Sequence, residues 1–397
     1  MEPQLAGPVQ PTSRIVALDV LRGFALFGVF VTNLGYSSLP WLDATSPPDR
    51  AAFDVLQALF ETKFVTLFSL LFGMGLVLQM QRAESRGVDI GPVYRRRLAV
   101  LFGMGLVHGC LLFEGDILLV YSLVGALLFA CRRWEPATLA KAALAPLAIG
   151  LVATTSWVFL EPALESADGE IGALVGDWGD EEDEARTRQA NLEGPLSLTL
   201  TVRAENFLFL FVYFWVTSFH WRVVALFFLG AAAMKAGWIG SEHRRVHGRF
   251  AVCALASGLA LEALSLVSLG VSPAHELVTA LAHEVGSLVL AAGLGCSVLW
   301  IVHGGLLLRL SHALACTGRM ALTNYLGQSV LMNVLLFWYG LGLWGALPLW
   351  QFMLIAGALF AVQVALSTLW LRRFDIGPME WLWRTATYGE RQTWRRT

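Results

Sequence analysis

Along almost its whole length the chain repeats one pattern: a run of about 20 mostly apolar residues, a short charged turn, then another such run. That length matches an α-helix crossing the hydrocarbon core of a bilayer. In lipid every backbone N–H and C=O must find a partner inside the spanning structure, so apolar runs of this length specify helices. Such runs lie near 15–36, 60–80, 97–113, 117–131, 140–160, 207–238, 250–270, 283–303, 320–340 and 348–371. The stretch 207–238 is too long for one crossing and holds His220, Trp221 and Arg222 in its middle. Residues 204–217 are therefore expected to lie along the interface or re-enter, with the whole stretch crossing once. Composition agrees: 56% of the 397 residues are hydrophobic and 15% charged, where a soluble domain carries about 25% charge. The predicted fold is an all-α, polytopic transmembrane bundle of about ten spans.

Charge sets its expected orientation. With the N-terminus inside, the cytoplasmic segments collect most of the 28 Lys and Arg, including Arg14, Arg82, Arg86, Arg95 to Arg97, Arg132, Arg133, Lys235, Arg244, Arg245, Arg319, Arg372, Arg373, Arg384, Arg395 and Arg396. The outer loops are acidic, with Asp43 and Asp49 in the first and Glu181 to Glu184 in the 161–205 segment. This asymmetry places both termini in the cytoplasm. It divides the chain into a five-span bundle over 1–160, an acidic outer loop over 161–205, and a five-span unit with an interfacial tail over 206–397. The formal net charge of −2 argues against nucleic-acid binding. The five cysteines stand singly and form neither a disulfide framework nor a metal set. No small-residue cleavage site follows the first span, which is expected to be retained.

Asp19 and Arg22 interrupt the first apolar run. A charge at the centre of a membrane helix costs roughly 2.5–3.5 kcal/mol, and a spanning anchor needs neither residue. Their i, i+3 spacing puts them on one face as an ion pair, in the cytoplasmic half of the helix. The pair either fixes helix packing or marks a polar interior. The string LFGMGLV occurs at 71–77 and again at 101–107, and Gly105 with Gly109 makes a GxxxG pair. Both are read as close-packing devices.

Several strings then carry a resemblance: LDVLRGFALFGVFVTN (18–33), KFVTLFSLLFGMG (63–75), RRLAVLFGMGLVHG (96–109), GDILLVYSLVG (115–125), GRMALTNYLGQS (318–329) and GPMEWLWRTATYG (377–389). In order and wording they resemble the YeiB-like family of bacterial multi-pass membrane proteins, over most of the chain except 161–205. The last two look like the signature of that family's C-terminal domain of unknown function. The N-terminal half is similar to a transmembrane acyltransferase superfamily that includes the heparan-α-glucosaminide N-acetyltransferases. These move an acetyl group from cytosolic coenzyme A to a sugar on the far side. The resemblance implies a bacterial inner-membrane location, an aqueous pocket, an acyl-CoA-type co-substrate entering from the cytoplasm, and a lipid or glycan acceptor outside. It implies no permanently bound cofactor. The sugar acetyltransferases carry a catalytic histidine in the loop after the first span. Here that loop, residues 37–54, has none, so their mechanism does not transfer unchanged.

Acyl transfer needs a base for the acceptor's proton, and histidine oriented by a carboxylate supplies one. His108, in the outer half of the third span, is the candidate base, with Asp116 as its orienter. The two must be brought together by a turn or by another helix. Asn33, Lys63, Glu114 and Tyr121 are expected to line the same outward pocket, with Lys63 either stabilising an oxyanion or snorkelling to the headgroups. On the inner side Asp19, Arg22, Arg96, Arg97, Arg319, Asn324 and Arg384 are candidates for donor phosphates, which suit arginine forks. This inner group is expected to be separate from the His108 group. Asn324, Gln328 and Ser329 form a polar stripe on the ninth span that binds a headgroup or ties to Gln363. Glu380 and Arg384 are expected to pair at i, i+4 on an interfacial helix begun by Pro378. His243 and His247 read as residues of a basic solvated loop, with no metal.

The leading function is a membrane-embedded acyltransferase. The alternatives are a transporter or lipid-binding protein using the same polar interior, or a scaffold whose acidic loop recruits partners. Membrane lipid, the donor and the acceptor are the expected partners, with a homodimer left open.

Overall fold

A computed structural model of the chain describes residues 15–39, 46–165, 181–267 and 272–394. Arg14, Asp43, Arg395, Arg396 and residues 166–180 of the acidic 161–205 segment lie outside these. The described residues are helical, with no β-strand among them. α1 (Val16–Ser38) is followed by the short α2 (Pro47–Leu59), then α3 (Lys63–Glu84), α4 (Gly91–Leu111) and α5 (Leu118–Ala130). α6 (Pro136–Ala142) leads into α7 (Leu144–Glu165), and α8 (Glu181–Leu192) into α9 (Leu196–Val216) and α10 (Phe219–Lys235). α11 (Arg244–Ser265) and α12 (Pro273–His303) form an antiparallel hairpin. α13 (Leu308–Arg319), α14 (Ala321–Leu336), α15 (Leu349–Trp370) and α16 (Pro378–Tyr388) complete the chain.

Among the described residues, seven helical segments are long and apolar enough to cross a membrane, counting Pro47–Glu84 as one. The other expected spans fall short for physical reasons. α5 has 13 residues and α10 has 17, α4 opens with Arg95 to Arg97, and Met320 breaks α13 from α14. Large apolar side chains face outward on many helices, among them Val107, Val152, Leu208, Val252, Leu354 and Leu366. An apolar exterior of this extent needs a lipid-like environment. The apolar helices mark a membrane protein.

The 207–238 stretch is two helices, broken at Thr217 and Ser218. Near its start, α9 donates from Arg203 to the Leu111 carbonyl at the end of α4 (2.6 Å). At its other end, Ser218 bonds Glu284, and Arg222 in the first turn of α10 bonds Ser287 (2.8 Å). Both ends of α9 therefore stay at the end of the bundle where α3 begins and α4 finishes, called here the His108 end. The opposite end is the arginine end.

Glycines set the tightest crossings. A Cβ at Gly23 would sit 2.0 Å from the Leu314 carbonyl oxygen, and one at Gly318 would sit 1.9 Å from that of Asp19, so α1 and α13 touch backbone to backbone. The two LFGMGLV copies use different glycines. Gly73 meets the Phe227 carbonyl of α10, whereas in the second copy Gly105 meets Leu119 of α5 and Gly103 meets nothing. Gly105 and Gly109 both make close approaches, but to different helices: Gly105 to the backbone of α5 and Gly109 to Phe207 of α9.

Candidate functional site

A cavity of about 710 Å³ runs beside α1 for most of its length, from Ile15 to Ser37. At the arginine end its wall holds Arg22, Arg82, Arg86, Arg97, Arg319 and Arg384, with Asp19 and Glu380 as the carboxylates. At the His108 end it holds Asn33, Tyr36, Glu61, Glu114, Asp116, Tyr121 and Tyr325. The two expected groups therefore lie at opposite ends of one cavity, as two clusters and not one. Volumes of several hundred Å³ suit a small-molecule or cofactor-sized ligand.

The arginine end is built by the α1–α13 crossing and by α16. Arg22 Nη1 lies 2.8 Å from Asp19 Oδ1, so the i, i+3 pair forms. Arg319 donates to the Asp375 carbonyl (3.0 Å), and its Nε is buried without a partner. The Arg97 guanidinium stacks 3.6 Å above the Trp383 ring of α16, whose indole N–H donates to the Arg97 carbonyl (3.2 Å). Arg96 stays outside the cavity and reaches the Thr387 carbonyl (3.5 Å). Glu380 accepts from the backbone N–H groups of Leu322 (2.6 Å) and Thr323 (3.1 Å), and from the Thr323 hydroxyl (2.6 Å). It thus caps the N-terminus of α14 from another helix. This replaces the expected Glu380–Arg384 ion pair. Burial pushes the Glu380 carboxyl above its ordinary range, against the pull of these hydrogen bonds.

At the other end the turn after α4 brings His108 and Asp116 together. His108 Nδ1 is 2.7 Å from Asp116 Oδ1, and Asp116 Oδ2 accepts the Leu119 N–H (2.8 Å) at the start of α5. The second imidazole nitrogen, Nε2, lies 2.8 Å from the Ser329 hydroxyl on α14. With Asp116 ionised, this pattern assigns the proton to Nδ1 and leaves Nε2 to accept from Ser329. Asn333, one turn further on, donates to the Leu112 carbonyl and ties α14 to the same turn (2.7 Å).

A family model described as "Protein of unknown function (DUF418)" matches residues 233–390. Over 96% of both chains the protein is 32% identical to the uncharacterized protein YxaH of Bacillus subtilis (strain 168). It is 28% identical to the uncharacterized protein YeiB of Escherichia coli (strain K12), over 94% of this chain and 96% of that one. The chain belongs to the YeiB-like family. A third relative, an uncharacterized 39.9 kDa protein in the amylase 3' region of Bacillus acidopullulyticus, is 25% identical over 97% of this chain and 96% of its own. No solved structure matches.

The family model spans Arg319, Ser329 and Arg384 but not Arg22, His108 or Asp116, so the candidate site draws on residues inside and outside the matched region. Lys63, Asn324 and Gln328 lie elsewhere, and His108 sits behind Asp116 and Tyr325 without lining the cavity itself. Lys63 is fully buried outside the cavity, 2.9 Å from Glu262 and 2.6 Å from the Gln57 carbonyl. It neither snorkels nor faces a reacting group. Asn324 bonds the Thr317 carbonyl and Ser367, and Gln328 bonds Gln363 (3.0 Å), so both tie helices together. Tyr121 lines the cavity while bonding Ser69 (2.8 Å). His243 stacks on Trp238, and His247 bonds the Trp238 carbonyl. No metal-holding cluster occurs among the described residues.

Sequence reasoning missed two partnerships. Ser329 stood in the polar stripe as a residue that binds a headgroup or ties to Gln363, and not as a partner of His108. Its signal was the i, i+4, i+8 line Tyr325–Ser329–Asn333 on one face of α14. Glu262, a lone acid within an apolar helix, called for a buried cation.

Proposed function

We propose that this YeiB-like protein is a membrane-embedded acyltransferase of the bacterial inner membrane. It takes an acyl group from a cytosolic acyl-CoA-type donor and delivers it to a lipid or glycan acceptor at the outer face. In this reading about ten segments cross the bilayer, both termini are cytoplasmic, and the arginine end faces inward by the positive-inside rule. The five-span 1–160 bundle supplies Arg22, His108 and Asp116, the 161–205 segment lies outside, and 206–397 supplies Ser329 and the arginines of α13 and α16. One observation carries the reading: a single cavity has six arginines at one end and the Asp116 carboxylate, bonded to His108, at the other. Six guanidinium groups against two carboxylates in a partly desolvated space favour an anionic ligand such as a coenzyme phosphate. A histidine held by a carboxylate suits removal of an acceptor proton.

Calorimetry on the detergent-purified full chain tests this. Acyl-CoA should bind, and Arg22→Ala should weaken it by about tenfold, the loss of one charge-assisted hydrogen bond. A folded protein that binds no acyl-CoA would remove the donor and with it the reading. The cavity's reach to both ends also supports a second reading, a transporter of an anionic solute. Uptake into proteoliposomes without group transfer would favour it.

A further inference from the structure

The third partner of His108 extends the site. Ser329 Oγ, His108 Nε2 and Nδ1, and Asp116 Oδ1 form an unbroken chain of contacts at 2.8 and 2.7 Å, and His108 and Ser329 are 1% and 2% exposed. A serine hydroxyl donating to an imidazole whose other nitrogen donates to a carboxylate is the arrangement that activates an oxygen nucleophile. A second, independent observation points to a ligand beside it. Tyr325 lies one turn before Ser329, lines the cavity, and places its ring 5.0 Å from that of His108. Its hydroxyl is buried beside the Ile117 backbone N–H, and its own proton finds no acceptor among the described residues. Asp116 and Tyr325 line the cavity while His108 and Ser329 lie behind them, so a bound acyl group reaches Ser329 when the Tyr325 side chain moves aside, its hydroxyl then free to meet an oxygen of that group.

We propose that Ser329 is the nucleophile and carries the acyl group as an ester between the two half-reactions. This rests on the acyltransferase reading. The Ser329 oxygen bonds to the thioester carbonyl carbon while its proton passes to His108 Nε2. The tetrahedral adduct then collapses, the carbon–sulfur bond breaks, and the coenzyme leaves as a thiol with the proton from His108. In the second half His108 takes the proton of an acceptor hydroxyl or amine, whose oxygen or nitrogen attacks the Ser329 ester. The acyl group leaves on the acceptor, and Ser329 recovers its proton from His108. Asp116 holds the imidazole in the required tautomer throughout. The Tyr325 hydroxyl is placed as a donor to the developing oxyanion.

The test uses the full chain in detergent with acetyl-CoA and palmitoyl-CoA, each labelled on the carbonyl carbon, and no acceptor. Acid quenching should trap about one acyl group per chain on the peptide containing Ser329, with an equal burst of free thiol. Ser329→Ala should abolish both while still binding the CoA by calorimetry. Ser329→Cys, which keeps a nucleophile and guards against a folding artefact, should trap a thioester that neutral hydroxylamine cleaves, unlike the wild-type oxyester. The proposal is overturned if CoA binds, no adduct forms, and Ser329→Ala still transfers with repeated turnover. That result would leave His108 as base in a direct transfer and the acyltransferase reading intact. A chain that binds neither CoA overturns both.

Discussion

Two buried polar clusters occupy the His108 end, and they differ in kind. In one, Lys63 pairs with Glu262 (2.9 Å), Glu262 meets His283 (3.0 Å), and Arg222 pairs with Glu284. Its cations and anions match one for one, it links α3, α10, α11 and α12, and none of these five residues lines the cavity. In the other, Asp116, His108 and Ser329 form a directional chain of hydrogen bonds with Asp116 on the cavity wall. A cluster whose charges are satisfied among themselves fixes helix packing. One that meets a cavity through Asp116, next to a tyrosine hydroxyl whose proton has no acceptor among the described residues, is equipped to act on something else. Ionisable residues inside membrane helices are often read as functional, and the contrast shows that cavity access has to decide between them.

The largest expected effect belongs to the second cluster. His108→Ala should lower the transfer rate per folded molecule by about 10²–10⁴, the usual contribution of a general base, with donor affinity close to wild type and a lower thermal midpoint, because Asp116 and Ser329 lose a buried partner. A rate unchanged at normal expression would take His108 out of the site. For the first cluster the expectation reverses. Lys63→Ala strands Glu262 and should cost about 3–5 kcal/mol of stability, read as a lower melting midpoint, while activity per folded molecule holds. Lys63→Met with Glu262→Leu should restore most of the stability. If the double variant stays folded and loses transfer, the division between the clusters fails. The smallest effect sits at the arginine end. Glu380→Ala should cost about 0.5–2 kcal/mol through the lost cap on α14. Burial raises the Glu380 carboxyl, so the stability it lends is present below its unfolded value and falls as pH climbs through the folded one. Glu380→Gln should therefore gain on wild type as pH rises above about 4.5, the ordinary value.

What was legible in the sequence was local. Runs of apolar residues gave the helices, and i, i+3 spacing gave the Asp19–Arg22 pair, which forms at 2.8 Å. His108 and Asp116 are close enough in sequence for one turn to join them, and the turn after α4 does so. Ser329 is 221 positions from His108, and Lys63 is equally remote from Glu262 in practical terms. Such pairings depend on which helices become neighbours, and apolar periodicity does not encode that. A pocket was implied by the resemblance alone, because span counting assigns depth along the membrane normal but says nothing about whether space connects the two levels. The limit that hid the pairings also hid the choice of glycine at each crossing. Identical LFGMGLV strings place different glycines against their partners, since the surrounding helices differ.

The central claim is that one cavity joins a donor entering at the arginine end to an acceptor at the His108 end. Proteoliposomes with uniformly oriented protein test it most directly, with labelled acyl-CoA sealed on the side of the arginine end and acceptor lipid or glycan supplied on the other. The account predicts acylated acceptor on the His108 side, dependent on Arg22 and His108. Transfer only when donor and acceptor share one side, or movement of intact solute without any acyl transfer, would contradict it.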